Sequence, residues 1–223
     1  MRRTVEVGYP RGEETRTRIL NVALSLFGTK GFDGVSTREI AAAASVPANS
    51  LRYYFGNKQD LYVACLNHTQ TLAFQAMEPA LLEAELLLED RKADTSRLID
   101  AFCAVQEALI DYMIGGSDRG TTALFVVRHD LPSEGGSGRL TGDGKVAYRM
   151  MACFTQLMMR ISGNLLDAKT ALIVAGLING QLTAIYVSRN RLAEFGWDIT
   201  MERLHWLKRT IRKQTTALLL AHR

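Results

Sequence analysis

Within the stretch ANSLRYYFGNK, from Ala48 to Lys58, the side chains of Asn49, Arg52, Tyr53 and Lys58 carry strong hydrogen-bonding groups. The amide of Asn49 and the guanidinium of Arg52 each present a planar edge, the form that matches the edges of base pairs in a major groove. A phenol such as Tyr53, a hydroxyl such as Thr37 and an ammonium such as Lys58 are groups that hold phosphate oxygens. The spacing separates these groups from the core. Leu51 and Phe55 lie one helical turn apart and anchor a short helix, which leaves Ala48, Asn49, Arg52 and Tyr53 on its outer side. The small Ala48 permits close approach to a groove. Lys58 falls in the first turn of the next helix, where the helix dipole favours an anion and a cation is a poor choice for the helix itself. A phosphate partner accounts for it.

The elements that must position these residues are legible nearby. Ile19, Val22, Ala23, Leu26 and Phe27 recur at helical spacing, and Gly31 closes that helix. Ser36 and Glu39 have the spacing of a capping box and open a second, alanine-rich helix that runs to about Ala44. Ser45 is expected to cap a third helix with Pro47 in its first turn. Asn57 and Asp60 are a plausible capping pair for a fourth helix, running to about Met77 before Pro79. Two short helices joined by a tight turn and braced by a longer one describe a helix-turn-helix. A generic three-helix core would not need the outward donors.

The run TRTRILNVALSLFGTKGFDGVSTREIAAAASVPANSLRYYFGNKQDLYVACL resembles the DNA-binding domain of TetR-family transcriptional regulators, through its first helix, KGF, STREIA, YYF and NKQDL. TALFVVRHDLPSE and FGWD carry a weaker similarity to one subgroup, the CecR-like (CerR-type) regulators. The resemblance implies an all-α homodimer: an N-terminal three-helix helix-turn-helix domain followed by a larger helical ligand-binding and dimerisation domain. The implied divisions are a flexible N-terminal arm over 1–12, the DNA-binding domain over 13–60 and the ligand and dimer domain over 61–223. By the same resemblance, Arg38 reads a base from the second helix, and Ala48 and Asn49 read from the third. Thr37, Ser50, Tyr53 and Lys58 then hold phosphates. Two positions depart from the family pattern. Ser45 replaces a common turn glycine. Arg52 replaces a frequent tyrosine, exchanging stacking on thymine methyls for a guanine contact.

Helical patterns also cover roughly 80–90, 95–114, 119–131, 144–163, 167–192 and 200–221, with a glycine-rich loop, LPSEGGSGRLTGDGK, between Leu131 and Lys145. Gly176, Gly180 and Ala184 form a small-residue stripe that allows close helix contact. With Leu207 and Ile211 of the last helix they are the expected dimer interface, and two-fold pairing implies a palindromic operator in double-stranded DNA with half-sites about 34–36 Å apart. For a ligand, Met150, Met151, Met158 and Met159 flank Phe154, and methionine suits a pocket for varied apolar molecules as well as it fills a core. Gln106, Arg128 and Asn179 complete the candidate ligand set with Met151, Phe154 and Met158; His129 and Tyr186 are further polar candidates.

The chain has 223 residues, 47% hydrophobic, and a net charge of +4, which is compatible with an anionic partner. Cys65, Cys103 and Cys153 each sit in an apolar helical pattern, as buried reduced thiols do. Cys65 and His68 supply half a metal site, but no further ligands cluster with them, so neither metal nor cofactor is expected. The uncharged run from Thr170 to Ser188 approaches the length of a membrane span, but its polar interruptions fit a buried helix of a cytoplasmic protein, and no membrane association is expected. No triad, phosphate loop or paired metal carboxylates indicate an enzyme. The expected function is a ligand-responsive repressor that an unknown small apolar inducer releases from its operator. The alternative is a ligand-independent DNA-binding regulator whose C-terminal half only dimerises.

Overall fold

The computed structural model describes residues 10–115, 124–126, 129 and 145–223. The regular structure among the described residues is all helix, with no strand among them. The helices are α1 (Pro10–Lys30), α2 (Thr37–Ala43), α3 (Ala48–Phe55), α4 (Lys58–Glu89), α5 (Thr95–Ile114), α6 (Lys145–Ile161), α7 (Ala168–Glu194) and α8 (Met201–Leu220). Residues 10–12 of the expected arm are thus already helical, with Pro10 at the start of α1, where its missing N–H costs nothing.

Two compact units arise: Met1–Thr69 with Leu124–Gly142, and Gln70–Ala123 with Asp143–Arg223. The sequence-based boundary between Asp60 and Leu61 falls in the first turn of α4. The smaller unit buries Ile19, Leu20, Ala23, Leu24 and Phe27 of α1 against Ile40, Leu51, Phe55, Leu61 and Phe125. The larger unit is built around α5, which packs on α6, α7 and α8. Its core joins Phe102, Cys103, Phe154, Leu157, Met158, Ile178 and Leu219.

One expected boundary is overturned. Helix α4 does not stop before Pro79 but runs through it to Glu89. An interior proline removes one backbone hydrogen bond and costs about 3 kcal/mol in an isolated helix. Here its ring is exposed, while Met77, Leu81 and Ala84 on the opposite side are buried. Burial of that face offsets the local penalty.

Helix α7 is capped by Asp167, whose side chain accepts from the Thr170 amide at 2.7 Å. Its segment Ala168–Arg189 is long and apolar enough to cross a membrane by length and composition. One face of it, at Ala171, Ala175, Ile178, Leu182 and Tyr186, is buried in the protein. The three cysteines are free and buried. Burial pushes the Cys153 thiol up to about 12 and raises Cys65 and Cys103 as well, which suppresses thiolate chemistry. Cys65 turns toward the Leu20 carbonyl at 3.9 Å, and no metal-holding group of His, Cys, Asp and Glu occurs among the described residues.

Candidate nucleic-acid interface

The entry to α2 is a capping box. Ser36 Oγ accepts from the Glu39 amide at 3.1 Å. The hydrogen bond from Lys30 first, and the Ser36 amide to a smaller degree, hold the Glu39 carboxyl below its ordinary range. Lys30 thereby ties the end of α1 to the start of α2. Thr37 is half-buried in the first turn of α2, and Arg38 beside it is exposed.

The turn between α2 and α3 differs from expectation. Ser45 does not cap α3; it ends α2. It adopts φ +53°, its amide donates to the Ala42 carbonyl at 3.1 Å, and the Val46 amide donates to the Ala41 carbonyl at 3.0 Å. This is the Schellman arrangement, in which the left-handed position favours glycine. The serine therefore carries a backbone strain that a glycine would not. Pro47 takes the cap position of α3 without a side-chain hydrogen bond.

Along α3, Leu51 and Phe55 are buried and hold the helix on the core. Ala48, Asn49, Arg52 and Tyr53 are exposed, Tyr53 to 83%, and Ser50 is half-buried. The Tyr53 ring meets Tyr54 edge-on at 5.0 Å, and Arg16 of α1 lies over Phe55 at 5.2 Å. Gly56, at φ +80°, ends the helix in a conformation that suits only glycine. Asn57 Oδ1 then accepts from the Asp60 amide at 2.9 Å, and its Nδ2 donates to Asp60 Oδ2 at 2.6 Å. This pair opens α4 with Lys58 in its first turn. The Lys58 ammonium rests 4.3 Å from the centre of the Phe32 ring. The sequence marks Phe32 only as part of the KGF resemblance and gives Arg16 no role of its own, because a cation–π contact between residues far apart in the chain has no periodic signature.

The described candidate ligand residues fall into different settings. Arg128 lies outside the described residues. Phe154 and Met158 are core residues, with Phe154 tilted on Phe102 at 4.6 Å, whereas Met151 is exposed. Gln106, 1% exposed, belongs instead to a closed polar network. Its Nε2 donates to Asn179 Oδ1 at 3.2 Å, and its Oε1 accepts from Thr215 Oγ1 at 2.8 Å. Gln181 Nε2 donates to Thr215 Oγ1 at 3.3 Å, and Asn179 Nδ2 to the Ala175 carbonyl at 3.0 Å. A surface cleft of about 500 Å³ occurs elsewhere, lined by alanines and by Glu83, Arg97, Asp100 and Arg212.

The expected dimer residues divide in two. Gly176, Gly180 and Ala184 are exposed on α7, beside Ile173, Leu177 and Val187, and a Cβ added at either glycine would meet open space. Leu207 and Ile211 are not part of that surface: both are buried within the chain's own core. The outer side of α8 carries Trp206 and Leu218 instead.

A short helix with an anchored inner face and a donor-bearing outer face, set behind a tight turn and braced by α1, has the arrangement of a helix-turn-helix. Residues 19–65 match the family model of bacterial regulatory proteins, tetR family. The HTH-type transcriptional dual regulator CecR of Shigella flexneri is 34% identical over 121 residues, covering 54% of this chain and 53% of that protein. The chain thus spans about half the length of this relative. Two solved structures share the fold. AibR in complex with isovaleryl coenzyme A and operator DNA aligns with a TM-score of 0.60 at 18% identity, covering 92% of this chain and 98% of that one. FadR from Bacillus subtilis in complex with stearoyl-CoA aligns with a TM-score of 0.57 at 14% identity, covering 93% and 98%.

Proposed function

We propose that this protein is a transcriptional regulator that binds a palindromic operator as a homodimer in the cytoplasm, and acts as a repressor released by a small apolar molecule. The observation that carries the DNA-binding part is the outer face of α3, where Asn49, Arg52 and Tyr53 stand exposed while Leu51 and Phe55 hold the helix in place. Arg38, Asn49 and Arg52 would read base edges. Thr37, Ser50, Tyr53 and Lys58 would hold phosphates and set the register. The dimer part is supported by the exposed apolar face of α7, since a second copy would cover Ile173, Leu177 and Val187 and let the two backbones approach at Gly176 and Gly180.

The fold neighbours in complex with acyl-coenzyme A support a ligand-responsive reading, with a thioester whose acyl chain supplies the apolar part as the first class to try. A ligand acts as inducer only if it binds one arrangement of the dimer more tightly than the other. A second reading, a regulator whose larger unit only dimerises, is favoured by one observation: Phe154 and Met158 fill the core rather than line a cavity. Titration of the operator complex with acyl-coenzyme A of several chain lengths tests this. Release at micromolar ligand supports induction, and no release by any chain length favours the second reading.

A further inference from the structure

We infer that Phe32 is a positioning residue for DNA binding, holding the Lys58 ammonium ready for a phosphate; the inference rests on the reading of Lys58 as a phosphate contact. Phe32 lies in the connection between α1 and α2, and Lys58 begins α4, so nothing in their sequence separation brings them together. The fold does so through an aromatic cluster. Phe32 stacks on Phe27 at 6.0 Å and meets the edge of Tyr62 at 5.2 Å. Tyr62 in turn packs on Phe27 at 5.1 Å and on Phe125 at 4.9 Å. Its hydroxyl lies 3.2 Å from His129 Nδ1. Phe27, Tyr62 and Phe125 are buried. The Phe32 ring is therefore fixed from behind while its face carries the ammonium 4.3 Å from its centre.

This arrangement acts on the entropy of binding. A free lysine side chain explores many rotamers and loses them when it grips a phosphate. Held over the ring, Lys58 has fewer of them left to lose. The ring's negative face attracts the cation without neutralising it, so the remaining hydrogens stay available to an anion. The contact also keeps a cation at a helix start, where the dipole alone would repel it. No carboxylate would serve, because an ion pair there would have to be broken when phosphate arrives.

The test is a double-mutant cycle on DNA binding, with wild type, Phe32→Leu, Lys58→Ala and the double variant. The probes are a duplex selected from a random pool and an unrelated duplex. Phe32→Leu should weaken both duplexes alike, by roughly two- to fivefold per half-site. In the Lys58→Ala background the same change should have no effect, and Phe32→Tyr should bind as wild type. An equal loss from Phe32→Leu with and without Lys58 would overturn the inference, since the ring would then act only through packing. If Lys58→Ala leaves both duplexes unaffected, the phosphate reading of Lys58 fails and the inference with it. A measurement on the unmodified protein guards against misfolded variants: the Lys58 methylene protons next to the ammonium should show an upfield ring-current shift in the NMR spectrum. Unshifted resonances there would overturn the inference, whatever the variants do.

Discussion

Arg52 and Lys58 lie on successive helices, and their substitutions should fail differently. Arg52 is exposed on the outer face of α3, whereas Lys58 is half-buried against Phe32 at the start of α4. Arg52→Ala should cost about 1–3 kcal/mol per half-site on the selected operator and relax preference at one base pair. Lys58→Ala should weaken selected and random duplexes by similar factors and lower the salt slope by about one per subunit. Binding curves on both duplexes at several salt concentrations separate the two; equal losses from Arg52→Ala on both would make it a backbone contact. Ser45 makes a different kind of prediction. Its φ of +53° costs about 1–2 kcal/mol for a residue with a Cβ, part of which glycine regains against its greater freedom when unfolded. Ser45→Gly should therefore raise stability by about 0.5–1 kcal/mol in denaturant melts; a loss of stability would mean that the serine hydroxyl contributes something the backbone does not reveal.

At the scale of elements, the polar network inside the larger unit ties three helices together. Thr215 of α8 donates to Gln106 of α5, which donates to Asn179 of α7. Thr215→Val keeps the shape but leaves the buried Gln106 carbonyl oxygen without that donor, at a cost of about 1–3 kcal/mol. Replacing Gln106 and Thr215 together by Leu and Val should cost less than the sum of the two single changes, and thermal melts of the three variants test this; strict additivity would mean the groups act independently. This network also explains what the sequence left illegible. Gln106 and Asn179 stand out as polar residues on apolar helices, but the sequence does not say that they face each other, so a ligand role and a structural one looked alike. Leu207 and Ile211 share that difficulty: helical periodicity marks an apolar stripe without naming which partner covers it, and here the chain itself buries both. The N-terminal elements were far more legible. Capping pairs such as Ser36–Glu39 and Asn57–Asp60 are local, and the Leu51–Phe55 spacing sorts inner from outer residues on α3 without any tertiary information. Pro79 shows the limit of local rules, since burial of the opposite face carries α4 through it.

At the scale of the molecule, the exposed face of α7 is an apolar surface that a second copy could cover. Leu177 is 74% exposed and Ile173 63%, beside the Gly176–Gly180 stripe. Gly180→Arg should place a charge in the close contact between two copies, where an unpaired buried charge costs several kcal/mol. The introduced side chain has open space within one subunit, so the variant should fold and sediment as a monomer. A dimer unchanged in mass and affinity would remove this face from the interface. Loss of the dimer should also weaken operator binding, because one helix-turn-helix makes few base contacts.

The most direct test of the central claim is a salt-dependent comparison of two duplexes: one selected by the wild-type protein from a random pool, and one of unrelated sequence. The selected sequences should show two-fold symmetric half-sites centred about 34–36 Å, or one helical turn, apart. Binding should fall steeply and linearly with salt on logarithmic axes, and the selected duplex should be preferred by at least about a thousandfold at physiological salt. Failure of the pool to converge on any sequence, with equal affinity for both duplexes at every salt concentration, would contradict the reading of α3 as a recognition helix.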